Sequence, residues 1–164
     1  MLDRWVQYYG LVPVEIPGTV HVNRIFKRSK VEASKFGRVD TYCFVNYMKE
    51  NATGEYLRSF SNQVFDFAMG HRTGNPLGFG AMLVVYSLLV VDNISNDLHS
   101  TINTYCPKHF AAAEFPSIYD ITSGNLYYYQ RTPVWGAAYY GTYRRETYKF
   151  YSPQSWSNVS GNKS

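Results

Sequence analysis

From Thr73 to Val91, nineteen residues carry no formal charge, and between Leu83 and Val91 only Tyr86 and Ser87 interrupt an apolar run. No polar stripe is left for water. A helix crossing roughly 30 Å of hydrocarbon needs about 20 apolar residues, and His71, Arg72, Asp92 and Asp97 bracket this one with charge. The pattern predicts a transmembrane helix over 75–104. Its polar extension keeps Ile94, Leu98, Ile102 and Tyr105 at spacings of four, four and three. Upstream, Leu57, Phe60, Val64 and Phe67 recur at helical spacing. They predict an amphipathic helix over 54–70, lying on a membrane surface or against a partner. A helix in a soluble core satisfies the same spacing.

The flanks show no comparable period. Residues 1–53 read as an N-terminal arm with a basic stripe, and 105–164 as a Tyr-rich extended segment whose end, from 158, is disordered. The expected fold class is therefore mainly α. A single transmembrane helix follows an amphipathic helix, with long irregular N- and C-terminal arms and no independent globular core.

Composition sharpens this picture. Aromatic residues make up 18% of the chain and charged residues 17%, with 16 tyrosines, a balance suited to interfaces where rings are half wet. The net charge is +4. Arg24, Lys27, Arg28, Lys30, Lys35 and Arg38 stand against one acid, Glu32. Together with Arg58 and Arg72 they place the N-terminal half on the cytoplasmic or matrix side. Lys27, Arg28, Lys30 and Arg72 are the residues expected at lipid headgroups, with cardiolipin as a fitting anionic lipid. Gly74, Gly78, Gly80, Ala81 and Ser87 give the predicted helix a slim flank for packing against another helix.

The search for chemistry returns little. "GNPLGFG" lacks the Lys-Ser/Thr of a phosphate loop and the third glycine of a dinucleotide turn. His21, His71, His99 and His109 are scattered, and His109 near Cys106 is at best a fragment of a site. Cys43 and Cys106 form no CxxC pair. The residues point to a non-enzyme, with no catalytic, cofactor-binding or metal residues.

"GNPLGFGAMLVVYSLLVVDNISNDLH" resembles the transmembrane segment of subunit f of mitochondrial F-type ATP synthase. Gly74, Gly78, Leu83, Tyr86, Leu88, Leu98 and His99 carry the likeness, which covers roughly residues 56–100; Asp92 and Asp97 depart from the family's basic exit. The resemblance implies a non-catalytic, single-pass subunit of the mitochondrial inner membrane with its N-terminus in the matrix. It would lie beside subunit a and the membrane part of the peripheral stalk, supporting assembly and dimerisation that curves the cristae. An accessory subunit of another respiratory complex is the nearest alternative. In a different class stands an organellar-ribosome RNA-binding protein, on "NLYYYQR", "YYGTYRRETYKFY" and the basic stripe. A secreted or viral membrane protein with Cys43 bridged to Cys106 is the third.

Overall fold

The computed structural model describes residues 1–32, 37–48, 52–72 and 74–161. Within them the chain forms α1 (Leu2–Tyr8), β1 (Val12–Pro13), β2 (Arg24–Glu32), β3 (Gly37–Met48), α2 (Gly54–His71) and β4 (Ala81–Val91). Then come α3 (Asn96–Thr104), β5 (Ala112–Asp120), β6 (Asn125–Tyr128), a short 3-10 turn (Val134–Gly136), α4 (Tyr140–Tyr151) and α5 (Pro153–Gly161). The six strands make one sheet in sequential order, β1 to β6. β3, β4 and β5 are parallel, while β1–β2, β2–β3 and β5–β6 pair antiparallel. This is an α/β domain, and it overturns the expectation of a mainly α chain without a globular core.

From Ala81 on, the uncharged run is the central strand, while residues 74–80 form mostly exposed turns ahead of it. A parallel strand covered on both faces reads as continuous apolar sequence, because neither side meets water. Even-numbered Val84, Tyr86, Leu88 and Val90 enter one core, and odd-numbered Leu83, Val85, Leu89 and Val91 enter the opposite one. Four valines in eleven residues favour the pleated backbone over the helix, and glycine-rich turns before the strand close the run. No helix among the described residues is long and apolar enough to cross a membrane. The expectation of a single-pass inner-membrane protein with its N-terminus in the matrix therefore falls with the helix that carried it.

The helical period over 54–70 does mark a helix, α2, but its apolar face lies on the chain's own sheet. Leu57, Phe60, Val64 and Phe67 are all buried. Thr53 caps it by accepting from the amide of Tyr56, and Glu55 sits favourably in the first turn. The predicted polar extension survives as α3, capped by Ser95 and burying Leu98 and Ile102. Because β3, β4 and β5 advance one strand at a time in one direction, two crossovers of the same hand put α2 and α3 on one face. The opposite face is covered by α1 and by α4, whose Tyr140, Tyr143, Phe150 and Tyr151 join the core with Val6. The Tyr-rich segment expected to be extended thus forms two strands and two helices, with α5 running through Gly161; residues 162–164 lie outside those described.

Candidate functional site

Strand order never reverses across this sheet, so it lacks the crevice that open α/β sheets offer at a switch in strand order. At the carboxyl ends of the parallel strands, polar groups are spent on the fold itself. The Asp97 carboxylate accepts from the Gly54 amide at 2.7 Å, and Asp120 accepts from the amides of Thr122 and Ser123. The amino ends of β4 and β5 are different. There the loop leading from α3 to β5 meets the loop leading into α4.

The first loop is held by a buried carboxylate. Glu114, early in β5, has no exposed side-chain surface. Tyr105 donates to its Oε1 at 2.8 Å, and the Nε2 of His109 lies 2.8 Å from its Oε2. The Tyr105 hydroxyl also lies 3.0 Å from Asn62 on α2. Burial, and then Glu114, push the Tyr105 phenol well above its ordinary value, so it stays a donor. The His109 ring stacks on Phe65 of α2, with centroids 3.9 Å apart. Between His109 and β5, Ala111 takes φ +49°, the one positive φ at a non-glycine residue among those described. That conformation costs on the order of 1 kcal/mol, a cost the surrounding contacts must cover.

The second loop lies over α4. Arg144 on α4 donates to the Arg131 carbonyl at 2.8 Å and to Thr132 at 2.9 Å. The 3-10 turn then brings Trp135 edge-on to Tyr140, with centroids 5.4 Å apart and planes at 89°. Glycine is required beside it: a methyl at Gly136 would sit 2.4 Å from the Tyr140 ring. Tyr140 meets Tyr143 at 5.5 Å and 65°, and its hydroxyl lies 3.1 Å from the Cys106 sulfur. Between the two loops is a cavity of about 130 Å3, walled mainly by Met82, His109, Trp135, Tyr139, Tyr140 and Tyr143. Next to its walls in the chain stand Phe110 and Val134, 78% and 96% exposed. Phe110 also leans on the turn at Gly78, where a side chain would strike its ring at 2.6 Å.

A separate polar network lies under α4. Tyr86 donates to Glu146, and Arg28 binds the other Glu146 oxygen at 2.9 Å and the Tyr9 carbonyl at 3.1 Å. The Arg28 guanidinium also faces the Phe150 ring at 5.6 Å. Tyr151 donates to the Tyr86 carbonyl at 3.1 Å. Cys43 lies beside them, its thiol pushed up to about 12 by burial, so the neutral thiol dominates at ordinary pH. This cluster fastens α4 to β2 and β4.

The structure scatters the residues singled out in the sequence. Gly74, Gly78 and Gly80 take positive φ in the turns before β4, a backbone demand rather than a helix-packing face. Ala81 opens β4, and Ser87 lies within it, 3.3 Å from Ser61 of α2. Arg28 is committed to Glu146, and Lys27 stands 4.9 Å over the Tyr42 ring. Lys30 is exposed on β2, and Arg72 donates to the Asn75 carbonyl. Cys43 and Cys106 are both free thiols, so the bridge considered between them is absent. His109 and Cys106 do share a loop beside the cavity, but Cys106 turns to Tyr140 and His109 to Glu114. His71 and His99 make contacts on their own helices and with nearby rings, and the His71 carbonyl also accepts from the Tyr42 hydroxyl of β3 at 3.1 Å; His21 is exposed.

Sequence reasoning missed Glu114, Met82, Trp135 and Tyr139 as a group. One signal was available: Tyr140, Tyr143, Thr147 and Phe150 recur at three, four and three, the period of a helix with a buried aromatic face. The likeness to subunit f rests on two helices over residues 56–100, where the structure has α2, β4 and α3. Comparison with protein families, with curated proteins and with solved structures finds no match to this chain.

Proposed function

We propose that this chain is a binding module rather than a catalyst, and that its ligand site is the aromatic cavity at the amino ends of β4 and β5. The observation that carries this reading is the wall of rings. Trp135 and Tyr139 stand at the opening, while Tyr140 and Tyr143, each 3% exposed, close it from behind, and aromatic side chains bind by area and shape without needing a reactive group. The rings are held from behind, Tyr140 by Cys106 and the Trp135 loop by Arg144. Such a site is formed before the ligand arrives, which lowers the ordering cost of binding. Volume limits the occupant. At about 130 Å3, the cavity lies below the roughly 300–1,000 Å3 typical of drug-sized ligands. It suits a single ring or one compact headgroup.

Ligand-observed NMR with a library of small ring and headgroup fragments tests the reading. Trp135 is 43% exposed, so Trp135→Ala removes one wall without hollowing the core. Fragments should contact the wild-type protein and lose that contact in the variant. If none binds, or if binding ignores the substitution, the cavity is not the site.

A further inference from the structure

The most exposed apolar side chains of this protein gather at one end of the sheet. Setting aside Met1 at the chain start, Val31, Phe79, Phe110 and Val134 are each more than three-quarters exposed. No other large apolar side chain among the described residues exceeds 60%. Strand register puts all four at the amino ends of β3, β4 and β5. Val31 pairs with Arg38, and Arg38 with Ala81, so the end of β2 is level with the starts of β3 and β4. Phe79 lies in the turn just before Ala81, and Phe110 leans on that turn at Gly78. Val134 precedes Trp135, which shares a cavity wall with His109 and Ala111. One exposed Phe or Val needs no explanation, but four at one end among polar residues mark a contact surface.

The charges there are mostly positive. Lys30, Lys108 and Arg131 are exposed and make no ion pair among the described residues. Arg144 is held by the Arg131 carbonyl and Thr132, and Arg72 by the Asn75 carbonyl. Those neutral partners leave both charges in place, whereas Arg38 is paired with Asp40. The acids on this side are Glu32, half-buried at the end of β2, Asp66, exposed further back along α2, and the buried Glu114. Among the described residues, these five cations outside any ion pair outnumber the three acids.

We infer that this end of the sheet docks on an anionic membrane surface. Val31, Phe79, Phe110 and Val134 enter the headgroup layer, and the cations meet lipid phosphates. The contact is peripheral, made by loop tips, and uses no spanning helix. Three features select this occupant. The apolar tips project singly from separate segments, and a fluid interface accepts them without a matching groove. Two of the four are valines, which give a nucleic-acid base no ring to stack on and a phosphate no donor. A second copy docked through the same face would bring Lys30, Lys108 and Arg131 against further positive charge. An anionic leaflet attracts each of these cations. The inference goes beyond the ligand-site reading and does not need it, since none of the four tips lines the cavity.

Co-sedimentation of the full chain with vesicles tests this, comparing phosphatidylcholine alone with phosphatidylcholine containing one third phosphatidylglycerol. The protein should pellet with the anionic vesicles, and added salt should weaken the binding. Phe79→Ser combined with Val134→Ser should weaken it roughly tenfold or more, and Lys108→Glu combined with Arg131→Glu should do the same. Ile121→Ser, at an exposed apolar position beyond the opposite end of β4, should change nothing; near-UV circular dichroism verifies that each variant is folded. Fragment binding without vesicle binding overturns the membrane inference and leaves the ligand site standing. Equal binding to neutral and anionic vesicles overturns it too, as does anionic binding that survives both pairs of substitutions. A dimer, or a complex with an RNA oligonucleotide, that forms without vesicle binding and is lost in the same variants assigns the surface to that partner instead.

Discussion

At the scale of single residues, the tyrosines govern how this protein responds to pH. Tyr86, Tyr140, Tyr143 and Tyr151 are buried, and burial holds each phenol above its ordinary value of 10.0. Glu146 adds to the effect at Tyr86, and Cys106 at Tyr140. A folded-state pKa raised above the unfolded one means that the native chain holds more protons wherever the pH exceeds about 10. The associated stability is complete below that pH and is lost as the pH climbs toward the folded values. The thermal midpoint should therefore start to fall steeply at about pH 10. Tyr143→Phe, which removes one titrating hydroxyl from the buried face, should make the fall shallower. An identical alkaline slope in the two proteins would mean that Tyr143 ionises as freely folded as unfolded.

Elements are joined here by close approaches that composition does not announce. The amino end of α2 meets α3 at Gly54, whose amide donates to Asp97 at 2.7 Å. A methyl group at Gly54 would lie 1.9 Å from the Thr101 hydroxyl oxygen and 2.9 Å from its Cβ. Both crossover helices thus share one junction, which depends on the absence of a single side chain. Gly54→Ala should destabilise the protein by about 1–3 kcal/mol through overpacking, despite the better helix propensity of alanine. Thr101→Ala in the same chain should recover part of the loss, since the oxygen at closest approach is gone. Urea unfolding measures both; a neutral or stabilising Gly54→Ala would show that the two helices separate at little cost.

For the whole molecule, layering predicts where the backbone opens. β4 is covered by helices on both faces and paired on both edges, so its amides can exchange only when the domain opens. β1 has two residues, one of them Pro13, and β6 has four; short edges of this kind discourage pairing with other chains. Hydrogen exchange should find the slowest amides in β4 and the inner parts of β3 and β5, with β1 and β6 exchanging far sooner. Fast exchange across Leu83–Val91 would contradict a central strand.

Periodicity along the chain was enough to locate α2, because a helix with one buried face writes that face at every third or fourth position; the same period marked the residues of α3 as helical but joined them to the run before them as one helix. It could also mark Leu83–Val91 as shielded from water, since an element buried all round has no polar stripe to show, but the same reading extended over residues 74–80, which are mostly exposed turns. What shields it was beyond reach. Lipid on a helix and two layers of helices on a strand ask for the same apolar residues, and the valines were the only local sign of the pleated backbone. The covering layers could be known only from tertiary structure, since α1 and α4 come from opposite ends of the chain to close one face. The same holds for the candidate site. His109, Trp135 and Tyr143 are meaningless as a sequence pattern, and Glu114 reads as an ordinary charge. Only folding buries that carboxylate under His109 and Tyr105 and turns the rings of two distant loops toward one opening.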